Sequence, residues 1–540
     1  MATVRKQHPK GLIAFRQQRA EPASMQTSES ALNTRTSCLK IALGVATTFA
    51  AALSVQAQSG TALSFVPNVQ VTQTLTNNVN VSPTEKHSES ITQVTAGIAV
   101  GSRSGILRGF LNFGLTGQIY ARDSSRNSLS GQNTVGANAN VDVEVVDGRG
   151  FVNVSAAVSQ AALSSFAAQT GNDGLNNPNT TEVRTLQVAP RWLGRLGSNV
   201  RYTVTGSYGL SSTKSSDVGD SASSSLNLQL SNANASRLGW SVDASRRVSG
   251  FSAGRTTSSN RVFGTLNLLV DDLDLRLGVN AGREYSDLTS QSQSGVDTWG
   301  VNAVWTPSPV TRVSAQYDER AFGKTYSLAI EYRTPLTVWQ LTDSRSLTTS
   351  GNQLQAGSRG SMFDLFYAQF ASIEPDPLRR IDLVNAFLRS NGIDPSAGVG
   401  PVLLTSAATI QDLLSVSVAY RMQRGSATLF VTRSKSRRAD TLSNAVDDLA
   451  NAGQVDQRTI SLNLSHRLTP ELSANLNLST LTGEGTSAAQ SNAQRTANLQ
   501  VSGRLSPKSS WSLALRRTLY ETSLVPYNES AVIATYSLQL

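Results

Sequence analysis

The most constraining feature of this 540-residue chain is an alternation of apolar and polar side chains that recurs along most of its length. In residues 135–145, Val or Ala occupies every odd position, and Gly, Asn, Asp or Glu occupies every even position. A period of two places the two sets on opposite faces of a β-strand. The turn dipeptide Asp147-Gly148 and a second alternating run over 152–158 follow, which predicts a β-hairpin.

About 20 to 22 segments of this kind, of about ten residues each, are joined alternately by tight turns and longer polar loops. A soluble β-sandwich typically uses strands of ~5–6 residues, whereas a membrane barrel needs tilted strands of ~9–11 residues. Closure of a barrel also removes the exposed sheet edges. We therefore predict an all-β fold, a transmembrane antiparallel β-barrel over 91–540, after an extension and opening strand over 58–90. The alternative is a soluble secreted β-protein.

The N-terminal segment has the organisation of an export signal. Arg35 and Lys40 precede an uncharged apolar run over 41–55, and a small-residue cleavage site ends at Ala57. Such an order predicts a signal peptide over 1–57, with Met25 as an alternative start. The apolar run is shorter than the ~20 residues of a spanning helix. Export together with a barrel predicts the bacterial outer membrane.

The charge balance does not indicate nucleic-acid binding. The chain carries 47 basic and 37 acidic residues, a net charge of +10. The predicted signal peptide holds half of this excess, so the mature chain is only weakly basic. We expect no nucleic-acid partner.

Few residues offer enzymatic or metal chemistry. The only cysteine, Cys38, lies in the predicted signal, and the rest of the chain has two histidines, His87 and His466. The carboxylate pairs Asp271-Asp272 and Asp447-Asp448 lie in turn or loop sequence, where acidic residues are common. We predict no catalytic residues, no metal site and no cofactor, and therefore no enzyme.

Arginines on the polar faces of strands are the candidate functional residues. If the polar face lines a lumen, their guanidinium groups face passing solute and pair with carboxylates or anionic sugars in forked geometry. The alternative is that they pair with aspartates across the lumen and stiffen the wall. The predicted lumen arginines are Arg184, Arg201, Arg276, Arg421 and Arg504.

One segment departs from the period of two. After the sequence 376–380, Ile381, Val384 and Leu388 fall at helical spacing with Phe387 beside them, and Asn391-Gly392 follows as a helix end. The sequence thus predicts one short helix within an insertion over 374–411. A structured loop, a lumen plug and a partner-docking surface are the three interpretations of that helix.

The C-terminus and the aromatic residues also fit a barrel. Tyr536, Leu538 and Leu540 share one face of the last segment, as in the strand that barrel-assembly machinery reads, although that strand usually ends in an aromatic residue. Aromatic residues near predicted strand ends indicate membrane-interface girdles or, for one or two of them, sugar-stacking platforms. They are Trp192, Tyr202, Trp240, Trp299, Trp305, Trp339 and Trp511.

Several segments together resemble the outer-membrane β-barrel family associated with the PEP-CTERM/exosortase system. The segments are 64–79, 282–287, 299–309, 318–323, 331–335 and 376–380. The resemblance covers roughly residues 60–540, and no single motif in it is diagnostic.

The resemblance implies a place in the outer membrane near exopolysaccharide synthesis and export genes, and it implies no catalytic residues. The expected role is a pore or assembly component in export of exopolysaccharide or surface proteins. The expected partners are outer-membrane lipid, the barrel-assembly machinery, polysaccharide-export proteins and anionic polysaccharide. Two other classes stay open, a structural or adhesive barrel that acts through its surface loops and an outer-membrane hydrolase.

Overall fold

A computed structural model describes residues 63–540 except 104, 129–133, 171–173, 215–218, 235–236, most of 349–402, 441, 444–446, 488–489 and 523–524. Within these residues the chain is almost entirely β-sheet. The strands are β1 (Leu63–Thr76), β2 (Glu89–Arg103), β3 (Leu107–Tyr120), β4 (Thr134–Val146), β5 (Gly150–Ala162), β6 (Thr180–Leu196), β7 (Val200–Thr213), β8 (Ser221–Asn232), β9 (Leu238–Phe251), β10 (Thr257–Val270), β11 (Leu275–Ser286), β12 (Ser294–Ser308), β13 (Thr311–Arg320), β14 (Gly323–Arg333), β15 (Thr337–Thr348), β16 (Thr409–Met422), β17 (Gly425–Arg438), β18 (Gln454–Arg467), β19 (Leu472–Glu484), β20 (Ser491–Ser506), β21 (Ser509–Thr522) and β22 (Tyr527–Gln539).

Helical structure is minor in the described chain. One helix, α1 (Asp448–Ala452), lies between β17 and β18, and two short 3-10 turns cover Ser124–Arg126 and Asp271–Leu273. The sequence analysis did not predict α1. None of the helices in the described ranges is long and apolar enough to cross a membrane.

The sheet closes into a ring, which confirms the predicted antiparallel β-barrel. The strands follow one another in chain order, each antiparallel to its neighbours, and β1 pairs with β22 over Asn68–Thr76. The barrel therefore begins at Leu63 and not at residue 91 as predicted. The reason is closure, because the opening strand supplies the hydrogen-bonding edge that the last strand requires.

The two ends of the barrel differ. Connections of five residues or fewer alternate with connections that are mostly longer, as predicted, and the short ones lie at the same end as Leu63 and Leu540. The longest connections at the other end are 77–88, 121–133, 163–179, 349–408 and 439–453. Short turns at one end and long loops at the other are typical of outer-membrane barrels. We call the two ends the turn end and the loop end.

The outer surface of the barrel is apolar. Large side chains such as Leu266, Val279 and Leu515 point outward and are exposed, whereas polar side chains such as Asn280 and Gln500 point inward and are buried. Only lipid provides a favourable environment for such a surface, so this is a transmembrane barrel of the outer-membrane type.

An aromatic girdle marks the turn-end interface. The outward-facing members within a few residues of that end are Trp192, Tyr202, Trp240, Trp305, Tyr332, Trp339, Tyr420, Trp511 and Tyr536. Six of the seven aromatic residues singled out from the sequence belong to it. Trp299 instead lies in the middle of β12, on the outer face.

Most strands are longer than the predicted ten or so residues, and their lengths range from 10 in β13 to 17 in β6. Toward the loop end, the outer face changes from apolar to charged. Arg433 and Asp456 form an ion pair of 2.7 Å there, and Arg495 and Glu521 form another of 3.1 Å. Charged pairs avoid the hydrocarbon core, so the extra strand length carries the wall past the bilayer on this side.

Candidate functional site: the lumen wall and the loop-end mouth

Four of the five predicted lumen arginines lie on inward-facing positions. Arg201, Arg276, Arg421 and Arg504 are exposed and lie near the turn end, on β7, β11, β16 and β20. Because these strands are spread around the ring, the structure does not bring the four side chains together. They instead place separate positive charges around the turn-end opening.

Arg184 is a correction. Its register partners are Val158 and Ser212, and it shares the outer face of β6 with Leu186 and Trp192. It pairs with Glu182 at 2.5 Å and is largely exposed. The alternation assigned Arg184 to the wrong face because the inward position beside it, Val183, is apolar and packs inside the mouth.

The most buried charges of the wall were not among the predicted site residues. The Glu284 side chain is 0% exposed and accepts bonds from both nitrogens of the Arg320 fork, at 2.8 and 3.0 Å. It also accepts from the Ser259 hydroxyl at 2.7 Å and the Ala321 backbone N–H at 3.3 Å. These bonds join β10, β11 and the end of β13 on the inner face.

A second ion pair lies beside the first. Arg261 donates to Asp318 Oδ1 at 3.2 Å, and Asn280 donates to the same oxygen at 3.1 Å. An added Cβ at Gly300 would lie 2.3 Å from Asp318 Oδ1, so only glycine leaves room for this contact. The two pairs stiffen one sector of the wall, the role that the alternative interpretation gave to lumen arginines.

Both residues of the first pair lie in segments that carry the family resemblance. Glu284 belongs to 282–287 and Arg320 belongs to 318–323, and their ion pair joins the two segments in the structure. The available signal was a charged residue on the polar face of each strand. The pairing itself depends on strand order and register, which the sequence pattern does not give.

Connection 163–179 reaches across the loop-end mouth. It leaves β5, and its backbone oxygens at Ser165 and Phe166 accept bonds of 2.8 Å from Asn492 and Tyr520, on β20 and β21. Its Gly174 oxygen accepts a bond of 2.8 Å from Tyr120 on β3. Counted from β5 around the ring, these partners lie up to seven strands away.

Segment 403–408 crosses the mouth in another direction, just before β16. All six of its residues are buried, with exposures of 2% or less. Leu404 packs against Val183 of β6, on nearly the opposite side of the 22-stranded ring. The Ser406 hydroxyl accepts a bond of 3.1 Å from the Gly219 backbone N–H. We call 163–179 and 403–408 the mouth segments.

Helix α1 joins the two mouth segments. Asp447 caps the helix by accepting from the Ala450 N–H at 2.9 Å, and it also binds Thr405 at 2.9 Å and Arg438 at 2.7 Å. Asp448 accepts from the Ser165 N–H at 2.6 Å. The carboxylate pair therefore has a structural role at the mouth.

The pKa of Asp448 is raised by its burial, against the lowering effect of its bonds to Ser165 and Ser164. The protonated form of Asp448 is therefore favoured when α1 is packed against mouth segment 163–179. Its contribution to the stability of that packing is complete below the ordinary aspartate pKa and is lost as the pH rises through the raised pKa of Asp448. The contact between α1 and mouth segment 163–179 should accordingly weaken from acid to neutral pH.

Asp448→Asn should remove this pH dependence, because an amide oxygen still accepts from Ser165 and carries no charge. Hydrogen exchange over 163–170, corrected for the intrinsic rate, measures it. The native protein should lose protection as the pH rises from about 4 to 8. Asp271→Asn, in an exposed turn, is the control. Equal pH dependence in the Asp448 variant and the native protein would refute the assignment.

Only part of the predicted helix is described. Leu383 and Val384 are helical, and Val384 is fully buried. Ile381, Phe387 and Leu388 lie outside the described residues. The choice among loop, plug and docking surface therefore stays a prediction.

The histidines lie at opposite ends of the barrel. His87 belongs to a loop-end connection. His466 lies near the turn end, on the same outer face of β18 as Leu464. They therefore cannot share one site. Across the described ranges, no three His, Cys, Asp or Glu side chains come together as a metal site.

The three C-terminal residues predicted to share one face of the last strand do so. Tyr536, Leu538 and Leu540 follow the outward positions of β22, and Tyr536 lies in the aromatic girdle. Their recognition by assembly machinery stays a prediction.

No family model matches the sequence, and no curated protein matches it. Among solved structures, the chain is similar to the FrpB iron transporter from Neisseria meningitidis, with 11% identity, a TM-score of 0.45 and coverage of 88% of this chain and 82% of that one. It is also similar to the siderophore receptor PirA from Acinetobacter baumannii, with 9% identity, a TM-score of 0.45 and coverage of 88% of this chain and 80% of that one. A third similar structure is the ferric-catecholate import receptor Fiu from E. coli, with 9% identity, a TM-score of 0.43 and coverage of 88% of this chain and 81% of that one. At this level of similarity, the names of these proteins give no information about which solute the present chain transports.

Proposed function

We propose that this protein is an outer-membrane conduit for a hydrophilic, acidic solute, and that its own mouth segments close it at rest. The observation that carries the proposal is the buried crossing of the mouth by 163–179 and 403–408 above a polar, charge-bearing wall. A wall of this kind suits a passing polar solute, and a closed mouth keeps the envelope sealed until a partner opens it.

The export context comes from the sequence resemblance. We propose that the solute is an acidic exopolysaccharide, or a surface protein of the PEP-CTERM type, and that polysaccharide-export proteins open the mouth from the periplasmic side. The inward-facing arginines at the turn end support this direction, because they meet an anionic chain at the entrance.

A structural or adhesive barrel is the second candidate. The packed mouth favours it, since segments bound to α1 and to distant strands form a fixed outer surface. Such a barrel would pass no current under any condition. A hydrolase has no comparable support from the residues described above.

Ion selectivity tests the conduit. Protein purified from membranes and inserted in planar bilayers should pass current in discrete steps at high applied voltage, with a preference for anions. The double substitution Arg201→Gln and Arg276→Gln removes two turn-end charges, so it should move the reversal potential in a salt gradient toward zero.

Arg184→Gln is the matched control, because Arg184 faces outward and its loss should leave the selectivity unchanged. Unchanged selectivity in the double variant would refute the role of the turn-end arginines. The absence of current from the native protein and from a variant with an opened mouth would refute the conduit.

A further inference from the structure

A row of arginines borders the apolar outer surface of β17 to β21 on the loop-end side. We call Arg433, Arg458, Arg495 and Arg517 the arginine row. Each of them is the next outward-facing residue, toward the loop end, after an apolar one; the apolar residues are Val431, Ile460, Ala497 and Leu515. Because the long loops of outer-membrane barrels are extracellular, the row lies at the level of the outer-leaflet headgroups.

The arginine row contains no carboxylate. The outward-facing carboxylates of these strands lie farther toward the loop end and are Asp456, Glu484 and Glu521. Arg433 pairs with the first of them at 2.7 Å, and Arg495 pairs with the last at 3.1 Å. Within the described part of the chain, Arg458 and Arg517 form no ion pair, and both are exposed. Their guanidinium groups therefore have donors available for an anion.

Two members of the row repel each other. Arg433 and Arg458 are directly opposite across β17 and β18, and like charges in that arrangement destabilise a sheet. Lys435 and Arg437 follow on the same face of β17, so the loop-end half of this outer surface carries six positive charges and three carboxylates. An anion bound at the row would relieve the repulsion.

The surface between two of the arginines is open and polar. On β19, Thr482 is in register with Arg458, and Thr480 is in register with Arg495. Since adjacent strands are about 4.8 Å apart, Arg458 and Arg495 are two strand spacings apart, and their long side chains can converge over β19. The threonine hydroxyls add donors there, and no cavity limits the size of a ligand.

We propose that the arginine row binds the phosphates of an outer-leaflet glycolipid, whose acyl chains lie on the apolar residues beside it. Guanidinium groups pair with phosphate oxygens in forked geometry, and basic groups at a membrane surface attract anionic headgroups. The row spans four strand spacings, about 19 Å, so it suits a headgroup with two phosphates better than one with a single phosphate. The site faces lipid and not the lumen, so it does not depend on the proposed function.

Lipid binding to the purified full-length protein in non-ionic detergent, measured by native mass spectrometry, tests the arginine row. The probes are bisphosphorylated lipid A, the same lipid without its phosphates, and phosphatidylglycerol, which has one phosphate. Lipid A should bind most tightly. The double substitution Arg458→Gln and Arg495→Gln should weaken its binding about tenfold or more, because it removes the two arginines that flank β19.

The double substitution Arg184→Gln and Arg246→Gln is the matched control. It also removes two outward positive charges and one outward-facing ion pair, that of Arg184 with Glu182. The cross-strand neighbours of both arginines are uncharged, so neither belongs to a row of this kind. This control should bind lipid A as the native protein does.

Equal lipid A affinity of the native protein and the variant at Arg458 and Arg495, both folded as heat-resistant barrels, would overturn the proposal. Binding of the dephosphorylated lipid as tight as that of lipid A would overturn phosphate recognition. Equally tight binding of phosphatidylglycerol would overturn the assignment to a glycolipid with two phosphates. These results are distinct from failure of the conduit, because lipid binding requires no current.

Discussion

Glu284→Ala should lower the free energy of unfolding of the barrel by about 3–5 kcal/mol, the cost of breaking a buried ion pair by removal of one partner. Arg320 would then lose both bonds of its fork, and the Ala321 N–H and Ser259 hydroxyl would lose their acceptor. Unfolding in denaturant from lipid bilayers measures the change.

The control is Asp297→Ala. Asp297 pairs with Arg283, the neighbour of Glu284, on the outer face at 3.9 Å, and both side chains are mostly exposed. An exposed pair contributes about 0–1 kcal/mol. Replacing Glu284 and Arg320 together should cost little more than Glu284→Ala, because no uncompensated charge remains. A cost of Glu284→Ala no larger than that of Asp297→Ala would contradict the stiffening role.

The barrel could be predicted from the sequence because its strands repeat a local rule. The alternation in residues 135–145 requires one wet and one apolar environment, and the hairpin through Asp147-Gly148 lies where the pattern indicates. The early start of the barrel at Leu63 was not predictable in the same way. Closure is a long-range property, and only the pairing of β1 with β22 reveals it.

The mouth could not be predicted, because its contacts obey no local period. Ser165, Leu404 and Asp448 lie in loop sequence without alternation, and their partners are distant along the chain. Arg184 shows the opposite failure. It lies in a strand with good alternation, yet the inward position beside it is apolar because Val183 meets a mouth segment.

Removal of mouth segment 163–179 is the second change with a large expected effect. Replacing residues 165–177 with a short Gly/Ser linker deletes the crossing to β20 and β21. It also deletes Phe166, which packs beside Leu403 of the other mouth segment. Because β5 and β6 are adjacent, a short linker suffices to join them.

Single-channel conductance of this variant in planar bilayers tests the closed-mouth account most directly. The control is the same replacement over 122–132, a connection of similar length whose described bonds go to nearby strands and to Asn80. We predict a closed native protein at low voltage, an unchanged control, and a conductance at least about tenfold higher in the 165–177 variant. A conductance equal to that of the native protein, in a variant that still folds as a heat-resistant barrel, would contradict the account.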